Sequence, residues 1–166
     1  HQAALDAGGR TLAVLGSGVD IIYPEQNRRL AEQLVLQGAL ISEYPLGTKP
    51  ERTNFPPRNR LISGLSLGTV VVEAGARSGA LITADYAVEQ GRDVFAAPGS
   101  IFQRSCEGTN RLIRDGAKPV LVVEDVLEEL NLAQVTQQAE VRATVPTTPT
   151  ERAVLDLLSA EPLHVD

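Results

Sequence analysis

One short segment of the sequence combines residue types that bind anions. In "VVVEAGARSGALITADYA" (residues 70–87), an apolar run ends at Glu73. Arg77, Ser78 and Gly79 follow, and a helix-like pattern begins at once. The first turn of a helix offers unpaired backbone N–H groups to an anion, and in an open α/β sheet this turn faces the ligand crevice. Gly79 permits close approach, Ser78 can cap the helix and Arg77 adds a cation, so the segment predicts a phosphate cradle.

A second segment, "FPPRNRLISGLS" (residues 55–66), carries two arginines close to a predicted helix start near Pro57. A cation in the first turns of a helix opposes the macrodipole at a cost of about 0.3–1 kcal/mol, so Arg58 and Arg60 both need anionic partners. Residues two apart do not share a helix face. We therefore expect one arginine on a ligand and the other in an internal ion pair with a carboxylate such as Glu73. The alternative, that both are ordinary surface or structural arginines, stays open.

A third segment, "LGSGVD" (residues 15–20), follows the first apolar run of the chain. Gly16, Ser17 and Gly18 match the start of a dinucleotide-binding fingerprint, but its third glycine is absent. These residues form either a tight strand-to-helix turn or a phosphate or backbone contact, and the sequence does not decide between the two.

The exit of the fourth predicted strand (residues 97–117) is also rich in small and cationic residues, among them Arg104. Successive strand-to-helix crossovers therefore bring Arg58 or Arg60, Arg77 and Arg104 to one rim. Cations that arrive from several strands suit an extended polyanion better than a single small phosphate.

The sequence pairs no nucleophile with a general base, so we expect no catalytic residues and no enzymatic activity. The two histidines, His1 and His164, lie near the ends, and the single cysteine, Cys106, is interpreted as a small packing residue. With so few soft ligands we predict no metal site, and no cofactor is expected. Glu73 has the chemistry of an acid–base group, but we favour a structural role in which it holds a neighbouring arginine or backbone amides.

Five short apolar runs recur at intervals of about 25 to 30 residues, the length of one strand-plus-helix unit. They are nearly continuous rather than alternating, as in strands of a parallel sheet that is covered on both faces. Gly38, Gly91 and Gly116 are placed to end the helices between them. We therefore expect an α/β fold with a doubly wound, mostly parallel sheet. The predicted strands are residues 11–16, 39–43, 69–73, 93–98 and 119–123.

The chain has 166 residues and a formal net charge of -6, but the charge is unevenly distributed. Residues 49–118 carry a net charge of +3, whereas residues 119–166 carry -7, so a phosphate-binding surface belongs to the middle of the chain. No apolar run approaches the length of about 18 residues that a membrane span needs, and no leader pattern is present. Together with the single cysteine, this predicts a cytoplasmic protein without membrane contact.

The two ends of the sequence differ from the middle. Residues 1–132 make up the predicted α/β domain, and "HQAALDAGG" at their start resembles the tail of a helix, so we expect an earlier section upstream. Residues 133–147 are polar and lack helical periodicity, which predicts a linker. A helix-capping pattern then begins at Thr148, so residues 148–166 read as the start of a second, small domain.

These motifs together resemble the DprA (DNA-processing protein A, or Smf) family. The resemblance covers about residues 10–123 and rests on "AVLGSGVDIIYPEQN", "FPPRNRLISGL", "VVVEAGARSGALITADYAVEQGRDVFAAPGS" and "GTNRLIRDGA". It implies an extended Rossmann-like domain that binds single-stranded DNA, helps to load the RecA recombinase onto it during natural transformation, and forms a homodimer. It also implies an earlier strand–helix section, of which "HQAAL" matches only the end, and a C-terminal winged-helix-like domain that starts within residues 148–166.

The resemblance assigns the family's DNA pocket to particular positions of this sequence. Arg77 stands where the family often has lysine, which keeps the charge and allows a bidentate phosphate contact. Which of Arg58 and Arg60 contacts DNA stays open. Only Phe55 and Phe102 are candidates for base stacking, so we expect phosphate contacts to dominate. The implied DNA-binding residues are Arg58, Arg60, Arg77, Ser78, Gly79 and Arg104.

Two other classes of function are compatible with a small-residue loop beside a glutamate. Rossmann-like enzymes that cleave nucleoside monophosphates place their glutamate after a glycine-rich motif, whereas Glu73 precedes the loop here. The other class is a sensor domain that binds a small nucleotide and controls a partner. Protection by a mononucleotide would support either alternative, and length-dependent binding of oligonucleotides would support a DNA-binding protein.

Overall fold

The computed structural model describes residues 1–132 of the chain, in which short strands alternate with helices. The strands are β1 (Leu12–Val14), β2 (Ala39–Ile41), β3 (Gly68–Val71), β4 (Asp93–Ala96) and β5 (Lys118–Pro119). The helices are α1 (Gln2–Asp6), α2 (Arg28–Gln37), α3 (Phe55–Gly64), α4 (Gly79–Glu89), α5 (Glu107–Arg114) and α6 (Val123–Glu129). Single 3₁₀ turns at Glu25–Asn27, Arg52–Asn54 and Arg104–Cys106 precede α2, α3 and α5.

All five described strands pair in parallel, which confirms the open α/β fold. β1 pairs with β2, and Ala13 lies opposite Leu40. β3, β4 and β5 form a second hydrogen-bonded group, in which Val70 lies opposite Phe95 and Phe95 lies opposite Lys118. Parallel neighbours need a crossover connection, which the intervening helices supply. Within each group the carboxyl ends of the strands therefore share one edge, where the strand-to-helix loops lie.

The main hydrophobic core lies between α4 and the strands β3 and β4. Leu81, Ala84 and Ala87 recur at helical spacing along α4 and are buried against Val71 and Val94. The small alanines let the helix approach the sheet closely, and burying each larger aliphatic side chain contributes about 1.5–3 kcal/mol. This packing fixes the start of α4 relative to the carboxyl end of β3.

The helix ends follow the sequence signals. Gly38 follows α2, while Gly91 and Gly116 follow α4 and α5 with φ values of 66° and 112°. These positive φ values belong to the left-handed region, which glycine adopts at little cost. At the start of α4, the Ser78 Oγ accepts a hydrogen bond from the Ala80 N–H at 3.3 Å. The predicted helix stops and the predicted serine cap are confirmed.

The last predicted strand is shorter than the apolar run suggested. Strand β5 ends at Pro119, whereas the prediction extended to residue 123. The Asp125 Oδ2 accepts hydrogen bonds from the N–H groups of Leu121 and Val122 at 2.7 and 3.0 Å, and these bonds lower the pKa of the Asp125 carboxyl. The carboxylate turns the chain into α6 and leaves Leu121, Val122 and Val123 exposed.

The chain divides into two compact units, His1–Val126 and Leu127–Asp166. Of the second unit the structure describes residues 127–132, which contain the end of α6. The predicted linker (residues 133–147) and the predicted start of a winged-helix-like domain (residues 148–166) lie outside the described residues. Within residues 1–132, no helix has both the length and the apolar content that crossing a membrane requires.

Candidate functional site

The loops that follow β3 and β4 are packed directly against each other. The Gly108 N–H, in the first turn of α5, donates to the Ala74 carbonyl at 2.7 Å. A Cβ atom at Gly108 would lie 2.6 Å from that oxygen, so only glycine permits this approach. A Cβ atom at Gly75 would lie 3.3 Å from the Arg104 carbonyl. Arg104 and Arg77, two residues beyond Gly75, are therefore presented by adjoining loops at the same edge of the sheet.

The first turn of α4 is capped and open to solvent. Ser78 supplies the cap, and a Cβ atom built on Gly79 would meet no heavy atom within 4 Å. Arg77 and Arg104 are exposed, and within residues 1–132 neither side chain makes a hydrogen bond or an ion pair. The exposed Gly79 backbone and the two exposed guanidinium groups without a side-chain partner among residues 1–132 can bind an anion with little reorganisation.

Arg58 lies on the inner side of α3 and is engaged by the protein itself. Its Nη1 donates to the Val14 carbonyl at the end of β1, and its Nε donates to the Asn59 Oδ1 at 3.1 Å. The guanidinium carbon lies 5.5 Å from the centroid of the Phe55 ring, a cation–π geometry. Burial lowers the pKa of the Arg58 guanidinium. Arg58 is thus a half-buried cation that ties α3 to β1.

Arg60 forms the internal ion pair that the sequence predicted for one of the two arginines. Its Nη2 donates to the Glu43 Oε1 across the loop that follows β2. The predicted partner, Glu73, is wrong, because Glu43 is the carboxylate within reach. Both side chains of the pair are nearly half exposed, 47% for Arg60 and 44% for Glu43. An exposed pair of this kind contributes about 0–1 kcal/mol to stability.

Asn59, between the two arginines, was not identified from the sequence. Its Oδ1 accepts from Arg58, and its Nδ2 donates to the Gly79 carbonyl at 3.5 Å, the limit of hydrogen bonding. The side chain therefore connects Arg58 with the first residue of α4. The available sequence signal is an asparagine between two arginines in "RNR", which does not indicate the element that the amide would contact.

The glycine-rich turn after β1 is buried and engaged within the protein. Ser17 is 2% exposed, and the Gly18 N–H donates to the Thr48 carbonyl at 2.9 Å. A Cβ atom at Gly16 would lie 3.1 Å from the Phe55 ring. These contacts show a tight structural turn, which was one of the two alternatives predicted for this segment. The other alternative, a phosphate contact at Gly16, Ser17 and Gly18, stays a prediction.

Glu73 and Cys106 have side chains capable of acid–base or nucleophilic chemistry. Glu73 is exposed and, among the described residues, makes no side-chain hydrogen bond or ion pair, so its predicted role in holding an arginine or backbone amides is wrong. Cys106 is half-buried against Gly99, where an added Cβ would lie 2.3 Å from its Sγ, as expected for a packing residue. Residues 1–132 contain no group of three or more metal-ligating side chains arranged around a common point.

An open parallel α/β fold with exposed arginines beside a capped helix start is typical of proteins that bind anionic ligands at the carboxyl edge of the sheet. The chain belongs to the DNA recombination-mediator protein A family, whose model matches residues 1–131. It is 47% identical over 146 residues to Protein Smf of Synechocystis sp.. The aligned region covers 88% of this chain and 37% of that protein.

Two solved structures of relatives share this fold. The X-ray structure of DNA processing protein A (DprA) from Streptococcus pneumoniae matches with a TM-score of 0.71 and 49% identity, covering 78% of this chain and 46% of that one. A structure that concerns the single-stranded DNA binding mode of DNA processing protein A from Helicobacter pylori matches with a TM-score of 0.67 and 26% identity, covering 74% and 57%. The DprA/Smf family and the Rossmann-like fold are confirmed. The chain spans less than half the length of the Synechocystis and Streptococcus relatives.

Proposed function

We propose that this chain binds single-stranded DNA through phosphate contacts at the carboxyl edge of β3 and β4. The observation that carries the proposal is the pair Arg77 and Arg104, exposed on adjoining loops and without a side-chain partner among residues 1–132. A nucleic-acid backbone presents successive phosphates, which matches cations presented by successive loops. The Helicobacter pylori relative, whose structure concerns single-stranded DNA binding, supports the same ligand.

The proposed interface has an open part and an engaged part. Arg77, Ser78, Gly79 and Arg104 form the open part, in which the two guanidinium groups and the backbone of Gly79 are exposed. Arg58 and Arg60 form the engaged part, since both are already bonded to protein oxygens. A phosphate that reaches either of these two arginines must displace or share its present partner, so the open part supplies most of the affinity.

The wider role that we propose rests on membership of the family. A DNA recombination-mediator protein that holds single strands would act during natural transformation, in the cytoplasm, and would help to load RecA onto the bound strand. We propose further that it works as a homodimer and as a binding protein rather than as an enzyme. Glu73 is exposed and makes no side-chain hydrogen bond or ion pair among the described residues, which supports a non-catalytic role.

A titration of the intact protein with labelled oligothymidylates tests the proposed ligand. We expect affinity to rise with oligonucleotide length up to the site size and to fall with salt, with a slope of log K against log salt of about -0.7 per neutralised phosphate. Binding that does not depend on salt, or a mononucleotide that binds as tightly as the oligomers, would contradict the proposal. Release of a free base from a nucleoside monophosphate would instead support the enzyme alternative.

A further inference from the structure

Phe102 is the most exposed of the large apolar side chains that the structure describes. The residue is 90% accessible, and the neighbouring Ile101 is 79% accessible. Single exposed aliphatic residues such as Ile101 are common on protein surfaces, but an almost fully exposed aromatic ring at the proposed binding edge offers a face on which a base can stack. Phe102 lies in the loop that follows β4, two residues before Arg104.

The loop that carries Phe102 is held in place by hydrogen bonds. The Asn110 side chain makes two hydrogen bonds with the backbone of Gly99. The Asn110 Nδ2 donates to the Gly99 carbonyl at 3.0 Å, and the Asn110 Oδ1 accepts from the Gly99 N–H at 3.1 Å. The Phe102 N–H donates to the Ser100 Oγ at 3.3 Å, and Gly99 lies directly against Cys106. The exposed ring is therefore presented by an ordered loop, which lowers the entropy lost when a ligand binds.

The surroundings of Phe102 indicate what it contacts. Arg104 follows it in the same loop, and the contact between Gly75 and the Arg104 carbonyl brings the loop of Arg77 alongside. An aromatic ring beside cations matches the two halves of a nucleotide, because phosphates bind guanidinium groups while bases stack on aromatic faces. Two exposed cations without a side-chain partner among residues 1–132 favour an anionic ligand over an apolar one.

The other phenylalanine considered for stacking is already engaged. Phe55 is half-buried, its ring centroid lies 6.2 Å from that of Tyr23, and the Arg58 guanidinium lies over it. We propose that Phe102 is the base-stacking platform of this protein, on which a nucleobase of single-stranded DNA rests while Arg77 and Arg104 hold the adjoining phosphates. This inference rests on the proposed function and adds a base contact to it.

The test compares two ligands with the intact protein: an oligothymidylate and an oligomer of equal length that has abasic sites throughout. Phe102→Ala removes the platform, Phe102→Trp keeps a stacking face, and Ile101→Ala is the matched control, an exposed apolar truncation next to it. We expect Phe102→Ala to bind the oligothymidylate about tenfold more weakly, Phe102→Trp to bind as tightly as the unaltered protein, and Ile101→Ala to be nearly unchanged.

The abasic oligomer separates stacking from phosphate contact. It should bind the unaltered protein more weakly than the oligothymidylate does, and it should not distinguish Phe102→Ala from the unaltered protein. The salt slope should be the same for both proteins, because no phosphate contact is lost. Equal affinity of Phe102→Ala and the unaltered protein for the oligothymidylate would overturn the inference, as would a change of oligomeric state with unchanged DNA affinity. Failure of the unaltered protein to bind either oligomer would overturn the proposed function itself.

Discussion

Two regions of this protein carry arginines beside helix starts, and they treat those arginines differently. In the region of α3, Arg58 and Arg60 are bonded to the Val14 carbonyl and the Glu43 carboxylate. At the loops after β3 and β4, Arg77 and Arg104 have no side-chain partner among the described residues. Arg58 and Arg60 lie inside α3, whereas Arg77 and Arg104 precede α4 and α5. Residue type alone therefore does not decide which arginines are available to a ligand.

The difference follows from what lies opposite each arginine. Helix α3 sits against the end of β1 and the loop after β2, and both offer oxygen acceptors to side chains from its first turns. The loop before α4 instead meets the backbone of the neighbouring loop through Gly75 and Gly108, and this leaves its cation outside. The same residue type therefore holds α3 in place in one region and stays available to a ligand in the other.

The largest expected effect is that of reversing the charge of Arg77. Arg77→Glu removes a charge-assisted hydrogen bond of about 1.5–3 kcal/mol and adds repulsion, so the binding free energy should fall by more than that amount. Because Arg77 is exposed, the free energy of unfolding should change by about 0.5 kcal/mol or less. Oligothymidylate titration and thermal unfolding measure the two quantities.

Two variants serve as controls for Arg77→Glu. Arg92→Glu makes the same charge change at the amino end of β4, where the guanidinium donates to the Gly64 carbonyl at 3.2 Å. It should bind DNA almost normally. Ser78→Ala should mainly lose the helix cap, about 1 kcal/mol of stability, and lose less affinity than Arg77→Glu. If Arg77→Glu unfolds the protein, or if it binds as well as Arg92→Glu does, the distinction between the two arginine regions is wrong.

An identical substitution at Arg58 and Arg77 measures the contrast directly. Methionine keeps the apolar stem of the side chain and removes the guanidinium. Arg58→Met should lower the free energy of unfolding by about 1.5–3 kcal/mol, since it leaves the Val14 carbonyl without its charged donor. Arg77→Met should change it by about 0.5 kcal/mol or less. Urea unfolding of both variants checks this, and equal losses at the two positions would show that Arg58 has no special structural role.

The sequence was informative where a local signal decides the structure. Ser78 caps α4, and Gly91 and Gly116 end their helices, because capping and positive φ depend on residues within one turn. The spacing of the apolar runs likewise predicted the alternation of strands and helices. This alternation alone predicted that Arg77 lies at the carboxyl edge of the sheet.

Predictions failed where a distant residue decides the contact. The partner of Arg60 is Glu43, 17 residues earlier, and no spacing rule distinguishes it from Glu73. The apolar run after Pro119 was predicted as strand, but the Asp125 side chain takes two of its N–H groups and ends the pairing. Both the ion pair and the end of the strand depend on a contact that forms only when the chain is folded.

The smallest expected effect, and the sharpest test of the engaged region, concerns the pair of Glu43 and Arg60. Glu43→Gln removes the carboxylate and leaves Arg60 with an unneutralised charge near the proposed interface. Stability should fall by only about 0–1 kcal/mol, because both side chains are nearly half exposed. If a phosphate can bind the released guanidinium, oligothymidylate affinity should rise and the salt slope should steepen by up to about 0.7.

The matched control is Asp115→Asn, which makes the same charge change at the exposed Arg114–Asp115 pair after α5. A rise in affinity with both variants would reflect net charge alone, and no rise with Glu43→Gln would place Arg60 outside the DNA interface.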